Sequence, residues 1–225
     1  MMKAMAGQLG IIVMGVMLGA GLHANAMAQD QDSGFLRDYA RLQEIKDSAG
    51  KTIRGWLSPK LTPDNYNALL IDPLVFYPEP RPNEHVSAEA LQQMLAYSND
   101  VLKRTLSKRF NVVDRPGPGV LRLRVAFTSV AAKGEGLKPY QLIPMAFVVT
   151  MAKGGPAQRA LIIAEVEATD SVTGQLMGMR VRTGTGERLV KIGDQEAITL
   201  QTVKPLLDEM AGQAFPERGK YVKAK

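Results

Sequence analysis

Glu165 and Glu167 stand two residues apart on an apolar run, and Arg180 and Arg182 repeat that spacing a short turn later. On a strand, residues two apart share a face, and a pair of carboxylates held together is what glycoside hydrolysis employs. Neighbouring guanidiniums would keep both carboxylates ionised, whereas a general acid needs a raised pKa. The pattern therefore reads as cross-strand ion pairs before it reads as a catalytic dyad. Arg122 and Arg124 share the same spacing. Together the four arginines, Arg122, Arg124, Arg180 and Arg182, outline a face that could hold an anionic small molecule, lipid or glycan.

Other fragments close off classes of chemistry. Asp47-Ser48-Ala49-Gly50-Lys51-Thr52 ends like a phosphate-binding loop, but that loop needs a glycine where Ile45 stands. The same stretch contains Ser-x-x-Lys, yet the separate Ser-Asp-Asn and Lys-Thr-Gly elements of a penicillin-binding serine are missing. A solvated turn is the plainer reading. Past the first 28 residues the one histidine is His85, in a proline-flanked loop, so a His-Glu-x-x-His metal site is closed. No Gly-x-Ser-x-Gly elbow occurs, and Gly117-Pro118-Gly119 and Gly184-Thr185-Gly186 are isolated glycine pairs and not dinucleotide fingerprints. The chain has no cysteine. That removes disulfides, thiolate nucleophiles, Cys-ligated zinc, iron–sulfur centres, thioether-linked haem and a lipid-modified cysteine. The sequence calls for no cofactor.

The N-terminus has a different grammar. Up to Ala28 the only charge is Lys3, Leu9 to Leu22 is an apolar run, and Ala26-Met27-Ala28 closes the segment. This is the layout of a secretory signal peptide, too short in its apolar part for the roughly 20 residues of a spanning helix. Cleavage after Ala28 is expected, with Ala24-Asn25-Ala26 as an earlier alternative. The mature chain, Gln29 to Lys225, is of single-domain size and carries a formal charge of +5 once Lys3 is gone, against +6 for the whole sequence. An exported protein of mild positive charge meets anionic lipid, glycan or envelope proteins sooner than nucleic acid. The expected location is the periplasm, with no transmembrane span in the mature chain.

The elements that would position these residues follow from periodicity. Phe35, Leu36, Tyr39 and Leu42 recur at helical spacing and predict a short helix with an aromatic face. From Gln43 to Pro63 an irregular stretch surrounds Trp56. Ala68 to Tyr77 reads as one buried strand ended by Pro78, Pro80 and Pro82. Ser87 is a good N-cap, and Leu91, Met94, Leu95, Ser98, Val101, Leu102, Thr105 and Leu106 trace one face of a helix running to Arg109. Strands are expected at Phe110 to Asp114 and Val120 to Val130, the latter with Leu121, Leu123, Val125 and Phe127 inward. Leu142 to Met151 leans towards a crossover helix behind Pro144. Ala160 to Thr169 and Gln175 to Thr183 form a hairpin in which pairing Asp170 with Gln175 sets Glu165 opposite Arg180. A last helix runs from about Asp194 to Phe215, kinked or restarted at Pro205, before a polar and basic tail expected to be flexible. The sum is an α+β fold, a single domain over residues 29–215. A mixed or antiparallel sheet of about five strands carries two long amphipathic helices on one face and the arginines on the other, wet face.

Four segments resemble a known family: Ser33-Gly34-Phe35-Leu36-Arg37-Asp38-Tyr39-Ala40-Arg41-Leu42, Leu70-Ile71-Asp72-Pro73, Gly117 to Leu123, and Glu165 to Gly174. They are similar to a bacterial envelope family of unknown function, DUF 3313. The resemblance implies a periplasmic or outer-membrane-associated protein, commonly a lipoprotein, with no assigned activity and no catalytic residues to carry over. This chain departs from that pattern because it has no cysteine to acylate. The leading expectation is a non-enzymatic module that binds an envelope macromolecule beside Phe35 and Tyr39 or on the arginine face. A carrier or sensor of an anionic ligand is the alternative, and a hydrolase with an unrecognised site the third.

Overall fold

The strongest alternating segment of the sequence becomes the centre of the sheet. The structure, a computed structural model, describes residues 32–47, 50–82, 86–133, 159–188, 191–192, 195–196, 198–215 and 219–225. Ten strands are described: β1 (Gln43–Lys46), β2 (Thr52–Leu57), β3 (Ala68–Ile71), β4 (Val75–Phe76), β5 (Val112–Val113), β6 (Val120–Lys133), β7 (Arg159–Asp170), β8 (Leu176–Arg188), β9 (Lys191–Ile192) and β10 (Gln195–Glu196). Two helices, α1 (Ala88–Ser107) and α2 (Leu200–Gly212), complete the regular elements. His85 and the segment 142–151 lie outside the described residues.

Strands β1-β2-β8-β7-β6-β3-β5 are hydrogen-bonded in that order, with β4 also on β6, giving one mixed eight-stranded sheet; β9 and β10 form a small separate pair. Strands β6, β7 and β8 pair antiparallel, while β3 runs parallel to both β5 and β6. The count exceeds the expected five for two physical reasons. Asp72-Pro73 interrupts the apolar run at 68–77, leaving β3 and β4 as separate pieces. Residues 43–57 contain a hairpin that joins the sheet edge through backbone pairing, β2 on β8, with little apolar signature of its own.

Leu121, Leu123, Val125 and Phe127 of β6 join Ile162, Ala164 and Ala168 of β7 in one large buried cluster, which α1 and α2 cover with Leu91, Met94, Leu102, Leu106, Val203, Leu206 and Leu207. Ser87 caps α1 through its Oγ, which accepts from Ala90 N at 3.0 Å. The last helix starts at Leu200, later than expected, because Thr199 and Thr202 exchange side-chain and backbone hydrogen bonds as a capping box; Pro205 lies within the helix. Beyond it the chain docks where a flexible tail was expected. Val222 is completely buried, Lys223 N donates to Tyr66 O, and Lys225 N donates to Arg109 O.

A second correction concerns the hairpin of β7 and β8. Asp170 N donates to Gln175 O at 2.9 Å as expected, and Gly174 takes the positive φ of the turn. Thr169 then faces Leu176, but Ala168 faces Gly178, so one extra residue, Met177, is bulged into β8. From there Val166 lies opposite Arg180 and Ala164 opposite Arg182. Because side chains alternate with a period of two, this single insertion turns Arg180 and Arg182 away from the glutamates and onto the helix-covered face.

The opposite face is not open either. Residues Ser33 to Leu42 cross it as a strap with only a 3₁₀ turn at Tyr39–Arg41, in place of the expected helix. Phe35, Leu36, Ala126 and Met179 form a small second core there.

Candidate anion-binding site

The six residues singled out by the sequence separate into two groups on opposite faces. Phe35, Tyr39, Arg122 and Arg124 share the strap face. Phe35 is buried, its ring 5.6 Å from that of Tyr77 and 4.7 Å from the Arg124 guanidinium. Tyr39 donates to Glu165 Oε2 at 2.6 Å, and both burial and that bond push its pKa up to about 12. Glu167, with no exposed surface, accepts from Arg124 Nη1 at 2.9 Å and from the Arg37 backbone N and Nε, each at 3.0 Å. Arg122 makes a bidentate pair with Asp72, Nε to both oxygens at 2.9 Å. These groups are satisfied by one another. The glutamate pair anchors the strap, and the carboxylates face guanidiniums and a phenol, not a cleft.

Arg180 and Arg182 are in a different situation. Both lie between the sheet and α2, with side chains 12% and 6% exposed. Arg180 Nη1 donates to the Gln213 carbonyl at 2.9 Å, and Arg182 Nη2 to Glu209 Oε1 at 3.1 Å. Asp47, its side chain fully buried beside the end of β1, brings its Oδ2 to 3.6 Å from Arg180 and 3.9 Å from Arg182. That turn is what became of the phosphate-loop-like fragment: Lys51 N donates to Asp47 Oδ1 at 2.9 Å, and Gly50 N to the Asp47 carbonyl. Three guanidinium nitrogens, Arg180 Nε, Arg182 Nε and Arg182 Nη1, are buried without a hydrogen-bond partner among the described residues. Burial, then the adjacent Arg182, lower the pKa of Arg180, and Asp47 opposes them only in part. Two buried guanidiniums thus face one buried carboxylate, and the remaining acid, Glu209, is half exposed at the rim.

The arginines border apolar space. One small cavity of about 40 Å³ is lined by both arginines with Val101, Val125, Phe127, Leu207 and Met210. A wider cleft of about 100 Å³ is lined by Arg180 and Asp47 with Ile45, Ile53, Leu57 and Leu61 on the β1–β2 side. Arg180, Val166 and Ala214 border both. Lys46 and Lys220 add positive charge to the wider cleft. Sequence reasoning found the arginines but not Asp47, Glu209 or Gln213. The alternation of Ile45 with Asp47 would have placed that carboxylate on the inner face only if the hairpin had been recognised.

Among the described residues, no group of three or more His, Asp or Glu is arranged to hold a metal ion, and no helix is long and apolar enough to cross a membrane.

The model of a protein family of unknown function, DUF3313, matches residues 31–214. An uncharacterised lipoprotein, YdcL of Escherichia coli K12, is 30% identical over 203 residues, which cover 89% of this chain and 90% of that one. Among solved structures, the chain is similar to hypothetical protein CT253 of Chlamydia trachomatis, with a TM-score of 0.40, 7% identity, and coverage of 66% of this chain and 95% of that one. It is also similar to XCC0632 of Xanthomonas campestris, with a TM-score of 0.37, 10% identity and coverage of 70% and 86%.

Proposed function

The chain belongs to DUF3313, a family of unknown function, and from that premise we propose that it is a periplasmic, non-enzymatic binding protein whose ligand is a small anion received by Arg180 and Arg182. One observation carries this reading. Three buried guanidinium nitrogens have no hydrogen-bond partner among the described residues, although each unmet donor costs about 1–3 kcal/mol. An anionic head group would satisfy them. The signal-peptide-like leader and the lipoprotein relative support an envelope location. With no cysteine, this chain would act there without the acyl anchor that the relative's name indicates.

The macromolecule-binding alternative loses support because its residues are occupied. Phe35, Tyr39 and Arg124 are spent on the strap, and Arg122 on Asp72. A hydrolase would need a carboxylate free to give up a proton, and both central glutamates instead receive charged or phenolic donors.

Calorimetric titration of the mature protein with hexanoate, acetate and inorganic phosphate tests the reading. Saturable one-to-one binding of at least one of these is expected, weakened at least tenfold by Arg182→Gln. No saturable binding, or binding indifferent to that substitution in a folded variant, overturns it.

A further inference from the structure

Positive charge gathers where the last residues of the chain dock. The C-terminal ends of α1 and α2 meet at Arg109, whose Nη1 donates to the carbonyls of Gly212 and Phe215, each at 3.3 Å. Ala224 pairs antiparallel with Phe110, and Lys225 Nζ donates to the Ser107 carbonyl at 3.0 Å. Cations are favourable at helix C-termini, and a neutral carbonyl takes their hydrogen bonds while leaving their charge. Because side chains of an extended segment alternate, Val222 turns inwards and Lys223 outwards. Lys108 at the end of α1 and Arg115 between β5 and β6 are exposed as well, and Asp114, 4.0 Å from Lys103, ties that connection to α1. Among the described residues Lys108, Arg115 and Lys223 are in no ion pair. The acids in these segments and in the neighbouring loop of Tyr66, Asp114 and Asp64, are outnumbered.

A second observation concerns the same end of the sheet. Ser171 Oγ accepts from Gly117 N at 3.1 Å and donates to the Gly117 carbonyl at 3.0 Å, which fastens the β7–β8 turn to the connection that carries Arg115. The next residue of that turn is Val172, at 63% the most exposed large hydrophobic side chain among the described residues. We infer that this end of the protein docks on an anionic lipid bilayer, with Lys108, Arg115 and Lys223 facing phosphodiester head groups and Val172 entering the interface. The surface is separate from the arginine pair and does not depend on it. A dissolved polyanion would be served by the cations alone, whereas a bilayer also accepts an apolar tip. The chain has no cysteine to acylate, and a charged face of this kind holds a protein at a membrane reversibly.

The test is co-sedimentation of the full mature protein with vesicles of equal parts phosphatidylethanolamine and phosphatidylglycerol, with phosphatidylcholine vesicles as the neutral comparator and dissolved glycerol phosphate as competitor. Each lysine or arginine near an anionic leaflet tightens binding about fivefold, so joint Lys108→Gln, Arg115→Gln and Lys223→Gln replacement should weaken it about 100-fold. The three side chains are exposed, and the far-ultraviolet dichroism of the variant should match that of the parent. Replacing three exposed cations elsewhere, Lys51→Gln, Arg81→Gln and Lys204→Gln, should weaken binding less than about tenfold, because charges more than about 10 Å from the surface are screened at 0.1 M salt. Val172→Asp should weaken it at least about threefold, since it exchanges an apolar contact for a repelled charge. Absence of binding to the phosphatidylglycerol vesicles, or equal losses in the two triple variants, overturns the surface. Equal binding to phosphatidylcholine overturns the role of the cations. Displacement by millimolar glycerol phosphate, or indifference to Val172→Asp, overturns the bilayer in favour of a dissolved phosphate.

Discussion

If Arg182 is retained for a ligand, replacing it should stabilise the empty protein. Its side chain is 6% exposed, and two of its nitrogens lack partners. Arg182→Met keeps much of the volume, removes both unmet donors and leaves Arg180 and Asp47 as a balanced pair at 3.6 Å. Each unmet donor costs about 1–3 kcal/mol. Against that stands the lost pair with Glu209, which is half exposed and worth at most about 1 kcal/mol. The attraction of Arg182 to Asp47 across 3.9 Å is lost as well. The balance favours the variant by about 1–3 kcal/mol, in line with the neutral-to-stabilising outcome when buried ions give way to apolar groups. Urea unfolding followed by Trp56 fluorescence measures it, and an m-value of about 2 kcal/mol/M would raise the midpoint by about 0.5–1.5 M. Hexanoate binding should fall in the same variant. A loss of more than about 1 kcal/mol would refute the reasoning, because it would mean that Arg182 is fully served by the fold and holds it together.

Other consequences concern the fold around that site. Glu167→Ala removes the acceptor shared by Arg37 and Arg124, and should cost about 2–3 kcal/mol in chemical denaturation; both arginines are more than a third exposed and can rehydrate, which keeps the loss below that of a fully buried pair. Trypsin should then cut at Arg37 faster, and an unchanged denaturation midpoint would sink the strap's role. Tyr39 and Tyr66 are pushed up to about 12, Tyr39 by burial and Glu165 and Tyr66 by burial and Asp170. The folded state thus keeps protons that the unfolded chain releases near pH 10, so stability is full below that and declines between pH 10 and 12. Absorbance at 295 nm should show these two phenols among the last to ionise, and joint Tyr39→Phe and Tyr66→Phe replacement should flatten the decline. Gly184→Val should destabilise by about 1–3 kcal/mol in thermal scans although valine favours strands, because a Cβ there would sit 2.7 Å from Met210 Sδ and 2.8 Å from Leu206 Cδ1 beneath α2. A stabilised Gly184→Val would show that α2 can lift without loss.

What the sequence made legible was the part governed by local rules. Ser87 and the apolar stripe behind it specify α1, and the alternation of Leu121, Leu123, Val125 and Phe127 specifies the inner face of β6. The turn from Asp170 to Gln175 was legible for the same reason: its residue types dictate its conformation. The face taken by Arg180 and Arg182 was not, because a bulge at Met177 leaves no mark in composition and yet turns the arginines that follow it to the other face. The strap misled through coincidence of spacing. Phe35, Leu36 and Tyr39 fall at helical intervals, but Tyr39 donates to Glu165 and the Arg37 backbone N to Glu167, about 130 residues away, and that tertiary pairing overrides the local preference. Residues 43–57 were illegible because an edge hairpin is held by backbone bonds to β8 more than by any apolar pattern. The same hairpin delivers Asp47 to the arginines, so the site stayed hidden with it.

The most direct measurement follows the arginine Nε–H resonances of isotope-labelled mature protein while hexanoate is added. Protons of Arg180 and Arg182 should move downfield together, saturate at one equivalent and exchange more slowly with water, while those of Arg122 and Arg124 stay in place. Shifts confined to Arg122 and Arg124, or spread evenly over all four, would contradict a buried head-group site and return the protein to the class of surface binders.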